Sequence, residues 1–169
     1  MKLYFSHGKE SGPWGTKIKR LAPLAEARGF DVDSIDYTDT LDPDARAARL
    51  GEILAAETDE IVLAGSSMGG YVSVVAARQT PVRGIFLMAP ALYIPGWQHQ
   101  EYRPQTAQLE IVHGWSDKVI PPEHSIRFAE AFDCSLHLIS GDHALNDSLV
   151  EVEALFEHFL NAIQVAQRG

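Results

Sequence analysis

The sequence predicts an α/β chain built on a mostly parallel sheet of six strands, with helices on both faces. Three observations carry that expectation. Six short apolar runs recur along the 169 residues. Those runs lack strict apolar–polar alternation, as strands buried on both faces do. The stretches between them have helical spacing, and strands alternating with helices give a parallel sheet whose right-handed crossovers cover both faces.

The strand candidates are residues 2–5, 31–36, 60–64, 84–88, 109–113 and 135–139. The first helix spans about 16–28 and contains Pro23, which removes a hydrogen bond and crowds the preceding turn. A kink or a later start is therefore expected there. Asp42 before Pro43 is an N-cap followed by proline at the first helical position, and Leu50, Ile53 and Leu54 then share a face. Pro121 and Pro122 open another helix containing Ile126. The last helix sets Leu149, Val152, Leu155, Phe156, Phe159, Leu160 and Ile163 at core-facing spacing. Residues 89–108 form the longest irregular stretch, rich in Pro, Tyr, Trp and Gln, and leave the carboxyl end of a strand, where ligands bind in doubly wound sheets.

Composition narrows the function. Hydrophobic residues are 46% and charged residues 22%, ordinary for a globular chain, and the length suits one domain over 1–169. The net charge of −9 gives no electrostatic case for nucleic acid or an anionic membrane. Cys134 is the sole cysteine, so no internal disulfide forms. The apolar stretch after Lys2 is too short for a signal-peptide core and no run is as long as a membrane span, so a cytoplasmic location is expected.

The chemistry centres on Gly65-Ser66-Ser67-Met68-Gly69-Gly70, where residues 65–69 match G-x-S-x-G. The pattern alone is weak. Here it lies between Ile61-Val62-Leu63-Ala64 and a helical stretch with Tyr71, Val74 and Val75, a sharp strand-to-helix turn that presents Ser67 at its tip. The helix N-terminus favours a developing anion, and the Met68 N–H is one oxyanion donor. A plain Gly/Ser turn is the bland alternative. The G-x-x-x-x-G-K-[ST] and G-x-G-x-x-G phosphate patterns are absent.

A serine nucleophile needs a base, and the base an orienting carboxylate. The order expected after such a serine is acid, then histidine. Asp117 in His113-Gly114-Trp115-Ser116-Asp117 is the acid candidate, with Glu123 a weaker competitor. His143 in Ser140-Gly141-Asp142-His143-Ala144 is the base candidate, with His99 in the irregular segment a minor competitor. His7 and His113 end strands and read as structural; His124 and His158 fall in helices and His137 in a strand. Asp142 is expected to shape the loop of His143. The first strand ends in Ser6-His7-Gly8-Lys9, whose loop offers a second oxyanion donor at the Lys9 N–H. Leu92, Tyr93, Ile94 and Trp97 are candidates for an acyl pocket or for ordinary packing under a loop.

Ser6-His7-Gly8, the Ser67 hexapeptide, His113-Gly114-Trp115-Ser116-Asp117 and Gly141-Asp142-His143 together resemble the α/β-hydrolase superfamily, and within it the compact, lidless bacterial esterases of the YqiA type. The likeness covers nearly the whole chain. It implies an α/β-hydrolase fold reduced to a minimal six-stranded sheet, because the chain starts at what would be the third strand. It also implies no large lid domain, since residues 89–108 are few. The activity implied is hydrolysis of small carboxylic esters through Ser67, His143 and Asp117, with no metal and no cofactor. A thioesterase or amidase with the same residues, and a non-catalytic binding protein on this fold, are the alternatives.

Overall fold

The computed structural model describes residues 1–166. Six strands, β1 (Lys2–Ser6), β2 (Asp31–Ile35), β3 (Ile61–Ser66), β4 (Gly84–Met88), β5 (Leu109–Gly114) and β6 (Ser135–Ile139), form one sheet in the order β2-β1-β3-β4-β5-β6. Every pairing is parallel. The helices are α1 (Thr16–Glu26), α2 (Pro43–Ala56), α3 (Met68–Ala76), α4 (Pro122–Phe132) and α5 (Leu149–Ala166).

Side chains alternate between the two faces of the sheet and bury on both. Leu3, Phe5, Val62, Ala64, Phe86, Met88 and Val112 pack beneath α1 and α5 with Ile18, Leu21, Phe156 and Phe159. Tyr4, Ile61, Leu63, Ile85, Leu87 and Ile111 pack on the other face with Leu50 and Leu54 of α2, Tyr71 and Val74 of α3, and Phe128 of α4. Two apolar faces explain why the central strands read as continuous apolar runs.

Local signals set the helix ends. The Asp42 carboxylate accepts from the N–H groups of Asp44 (2.9 Å) and Ala45 (3.4 Å), capping α2 as expected. α1 runs through Pro23 and does not start after it. Pro23 and Lys19, one turn back, both face solvent, so water reaches the carbonyl that proline leaves unpaired, while Leu21, Ala22 and Ala25 hold the helix on the sheet.

Residues 89–108 carry no helix or strand longer than a single bridge, yet they are tied down. Gln105 donates its N–H to the Ala77 carbonyl (2.8 Å), and Tyr102 accepts from the Tyr93 N–H (2.9 Å). The chain leaves β1 toward β2 on one side, while β3 lies on the other. That reversal opens a crevice at the carboxyl ends of β1 and β3.

Candidate active site

Ser67 sits in that crevice, between β3 and α3. Its backbone lies at φ 53° and ψ −118°, a conformation that L residues rarely adopt. The turn is locked from outside: the Ser67 N–H donates to the Met88 carbonyl (3.0 Å), and its carbonyl accepts from Gly70 and Ala91, both at 2.9 Å. Glycine is required on either side. A Cβ on Gly65 would lie 2.4 Å from the Gly69 carbonyl oxygen, and one on Gly69 would lie 1.9 Å from that of Ser6.

Ser67 Oγ lies 3.0 Å from His143 Nε2, and His143 Nδ1 lies 2.7 Å from Asp117 Oδ2. A carboxylate only accepts, so Nδ1 carries the proton and Nε2 is free to accept from the serine. Asp117 is buried, and its other oxygen accepts the N–H groups of Val119 (2.8 Å) and Ile120 (2.9 Å). Burial pushes its pKa up, but the hydrogen bonds from His143, Ile120 and Val119 outweigh that and hold it below the usual value. The structure thus brings Ser67, His143 and Asp117 together from the ends of β3, β6 and β5. Asp142 turns the loop of His143 by accepting the N–H groups of Ala144 (2.9 Å) and Leu145 (3.0 Å). The competitors lie elsewhere: Glu123 is exposed in the first turn of α4, and His99 Nδ1 meets Arg78 at 2.7 Å.

His113, read from the sequence as structural, takes part in this network. Its Nε2 lies 2.9 Å from Asp117 Oδ2 and 3.1 Å from the Ile120 carbonyl, while Ser125 Oγ lies 2.7 Å from Nδ1. Two acceptors at Nε2 place the proton there, and Nδ1 accepts from Ser125. Desolvation holds the His113 pKa below its ordinary value, with Asp117 acting against it. Two imidazoles therefore share one carboxylate oxygen. His113 lies in a strand and Asp117 in the turn after it, where four-residue spacing does not by itself bring two side chains together, so the sequence held no signal for this contact.

The β1–α1 loop forms the neighbouring wall. Lys9 lines the cleft beside Gly8, where a Cβ would lie 3.7 Å from that of Ser67. The carbonyl of Gly8 accepts from His7 Nδ1 (2.8 Å) and from Arg46 (3.2 Å), and that of Lys9 accepts from Arg46 (3.2 Å). The Arg46 guanidinium is fully buried and also donates to the Thr40 carbonyl (2.8 Å). The peptide joining Gly8 to Lys9 is trans, so a carbonyl fixed on Arg46 turns the Lys9 N–H the opposite way. Met68 opens α3, where a backbone N–H has no acceptor within its own helix.

The cleft holds about 470 Å³. Ile94 and Trp97 line it, with Ala91, Val119 and Ile120. Leu92 and Tyr93 do not, which corrects half of the expected pocket. Leu92 is fully buried in the core, and the Tyr93 ring packs against Tyr102 and His124 with Arg127 over its face. Among the described residues no His, Cys, Asp and Glu cluster has the makings of a metal site, and no helix is long and apolar enough to cross a membrane.

A parallel sheet with a serine at the strand-to-helix turn and a histidine–carboxylate pair beside it defines a hydrolase of the α/β class. The chain belongs to the alpha/beta hydrolase family, whose model matches residues 3–165. A protein from Xanthomonas campestris pv. campestris, assigned to the alpha/beta hydrolase superfamily, is 32% identical, with 95% of this chain and 98% of that one covered at a TM-score of 0.84. Est1E from Butyrivibrio proteoclasticus is 19% identical over 97% of this chain and 88% of its own, at a TM-score of 0.78. XC6422 from Xanthomonas campestris, a serine hydrolase without a lid, is 21% identical over 95% and 81%, at 0.66. At these lower identities the likeness is one of fold. No curated protein matches the chain.

Proposed function

We propose that the protein hydrolyses small carboxylic esters through a Ser67–His143–Asp117 triad. The observation that carries this reading is the unbroken chain of hydrogen bonds, 3.0 Å then 2.7 Å, from Ser67 Oγ to Asp117, opening onto the cleft. His143 Nε2 takes the hydroxyl proton as Ser67 Oγ attacks the ester carbonyl. Asp117 keeps Nδ1 protonated and stabilises the imidazolium. The tetrahedral intermediate collapses as His143 returns the proton to the departing alkoxide, which leaves as the alcohol. Water then attacks the acyl-enzyme, gives its proton to His143, and releases the acid and free Ser67. The N–H groups of Met68 and Lys9 are assigned to the oxyanion, a role worth about 10²–10³-fold in rate for each donor. Arg46 and His7 support the second of them by holding the Gly8 carbonyl away.

The test is labelling with a fluorophosphonate probe together with turnover of p-nitrophenyl acetate. Ser67→Ala abolishes labelling and lowers kcat by roughly 10⁴–10⁶-fold. Near-wild-type activity in that variant sinks the assignment. Matched esters, thioesters and amides rank the reaction class, with esters expected to turn over fastest.

A further inference from the structure

The two walls of the cleft differ in chemistry because they come from opposite faces of the sheet. Ile94 and Trp97 follow β4, and Trp97 packs on the core beneath α2 and α3. Lys17 stands on α1, which packs on the other face with α5. Its side chain lines both the cleft and an adjoining chamber of about 170 Å³, whose further walls include Ser11, Thr16 and Asn146.

Lys17 is half-buried, and its ammonium donates to the Ala144 carbonyl at 2.8 Å. No other hydrogen bond and no ion pair engages it among the described residues. Among the described residues the other half-buried side-chain cations behave differently: Lys2 meets Asp31, Arg28 meets Glu157, Arg49 meets Asp39 and Arg83 meets Glu60. The carboxylates whose charge acts on Lys17 are those of Asp142 and Asp117, and neither hydrogen-bonds to it. One oxygen of the exposed Asp142 accepts two backbone N–H groups, and Asp117 holds two imidazoles and two N–H groups. Burial lowers the Lys17 pKa, with Asp142 and Asp117 acting against that. At the rim, Lys9 and Glu10 are both exposed. An ammonium has three N–H donors, and one neutral carbonyl repays little of its lost hydration. A substrate carboxylate arriving in the cleft repays the rest through a charge-assisted bond.

We propose that Lys17 anchors an anion subsite, and that the substrates are small esters carrying a free carboxylate, which lies toward α1 while the apolar portion lies against Ile94 and Trp97. This rests on the esterase reading. A net charge of −9 repels anions at long range, so a preference for them has to be made locally.

The test compares monoethyl succinate with ethyl succinamate, its neutral analogue of the same shape, by pH-stat. The wild type should favour the anion in kcat/KM by about ten- to a hundredfold, the worth of one charge-assisted bond. Sodium chloride should shrink that ratio. Lys17→Met should bring the ratio close to one, and Lys17→Arg should keep most of it. Loss of the Ala144 clamp alone lowers both substrates equally, so a ratio that survives Lys17→Met overturns the subsite. A wild-type ratio of one or below, or one that rises with salt, overturns it without any variant. Turnover of the neutral ester with no anion preference defeats the subsite and leaves the esterase reading intact. No turnover of either ester, with no probe on Ser67, defeats both.

Discussion

Replacing Ser67 by glycine and, separately, by alanine tests whether the turn that presents the nucleophile stores strain. Both changes delete the hydroxyl and its 3.0 Å contact with His143, so that loss cancels in the comparison. What differs is the Cβ. At φ 53° and ψ −118° an L residue pays about 1–3 kcal/mol, and alanine pays it as serine does. Glycine escapes it. Against this, glycine gives the unfolded chain more freedom, roughly 0.5–1 kcal/mol relative to alanine. The balance favours Ser67→Gly over Ser67→Ala by about 1 kcal/mol, which in a chain of 169 residues is roughly 2–4 °C in Tm. Urea unfolding of the two variants reads it as a higher midpoint at equal slope for glycine. Both variants stay unlabelled by the fluorophosphonate probe. The reasoning is refuted if glycine is less stable than alanine by half a kcal/mol or more, as at an ordinary position.

Asp117→Asn should keep the fold and lose roughly 10⁴-fold in kcat, because an amide no longer fixes the His143 tautomer, whereas Glu123→Gln should stay near wild type; steady-state kinetics of both against p-nitrophenyl acetate decide it. Arg46→Met frees the Gly8 and Lys9 carbonyls, and should cut kcat by about 10²–10³-fold with KM little changed, the signature of a lost oxyanion donor. Equal loss in a folded Arg46→Met of ground-state binding instead, seen as a raised KM at constant kcat, would count against it. Desolvation holds the pKa values of His7 and His113 below the ordinary histidine value, so the unfolded chain takes up protons that the folded chain refuses. Their contribution to stability is therefore full above about pH 6.5 and declines as pH falls below it. Urea midpoints should drop between pH 7.5 and pH 5.5 (roughly one unit either side of the histidine range), and His113→Gln should narrow that drop.

The strands and the turn around Ser67 were legible because their signals are local. An apolar run declares a buried strand, and G-x-S-x-G between a strand and a helix declares the turn around Ser67. Asp117 and His143 were found by chain order, which stands in for spatial proximity. The signals fail where a role depends on a distant contact. Arg46 reaches Gly8 and Lys9 across 38 and 37 residues, and Lys17 reaches Ala144 across 127, so no window of sequence holds either pair. Leu92 and Tyr93 failed for another reason: apolar composition does not tell a pocket wall from a core residue, and the left-handed backbone of Tyr93 (φ 55°) turns its ring onto Tyr102. Pro23 shows tertiary packing prevailing over propensity, since the buried face of α1 carries the helix past it.

The distribution of buried polar groups gives these roles a common physical basis. His7, Arg46, Ser66, His113, Asp117 and Ser125 are all buried, and all lie about the carboxyl end of the sheet or in the helices that flank it. Among the described residues none of their buried side-chain nitrogen or oxygen atoms lacks a partner. Burying such groups costs stability unless each is paired, and a paired group in a low-dielectric setting is stiff. The partners are not random. His113 and the Val119 and Ile120 N–H groups fix one carboxylate, and His7 and Arg46 fix one peptide unit. Each set holds a group one step removed from those proposed to meet the substrate. The apolar faces under α1 and α5, and under α2, α3 and α4, supply the stability that lets this polar shell be kept. Substitution in the shell should therefore show in kcat as well as in the unfolding midpoint, and substitution in either core mainly in the unfolding midpoint. Lys17 stands apart from both groups: it is only half-buried, and its remaining donors have no partner among the described residues, which is why its partner is sought in the substrate.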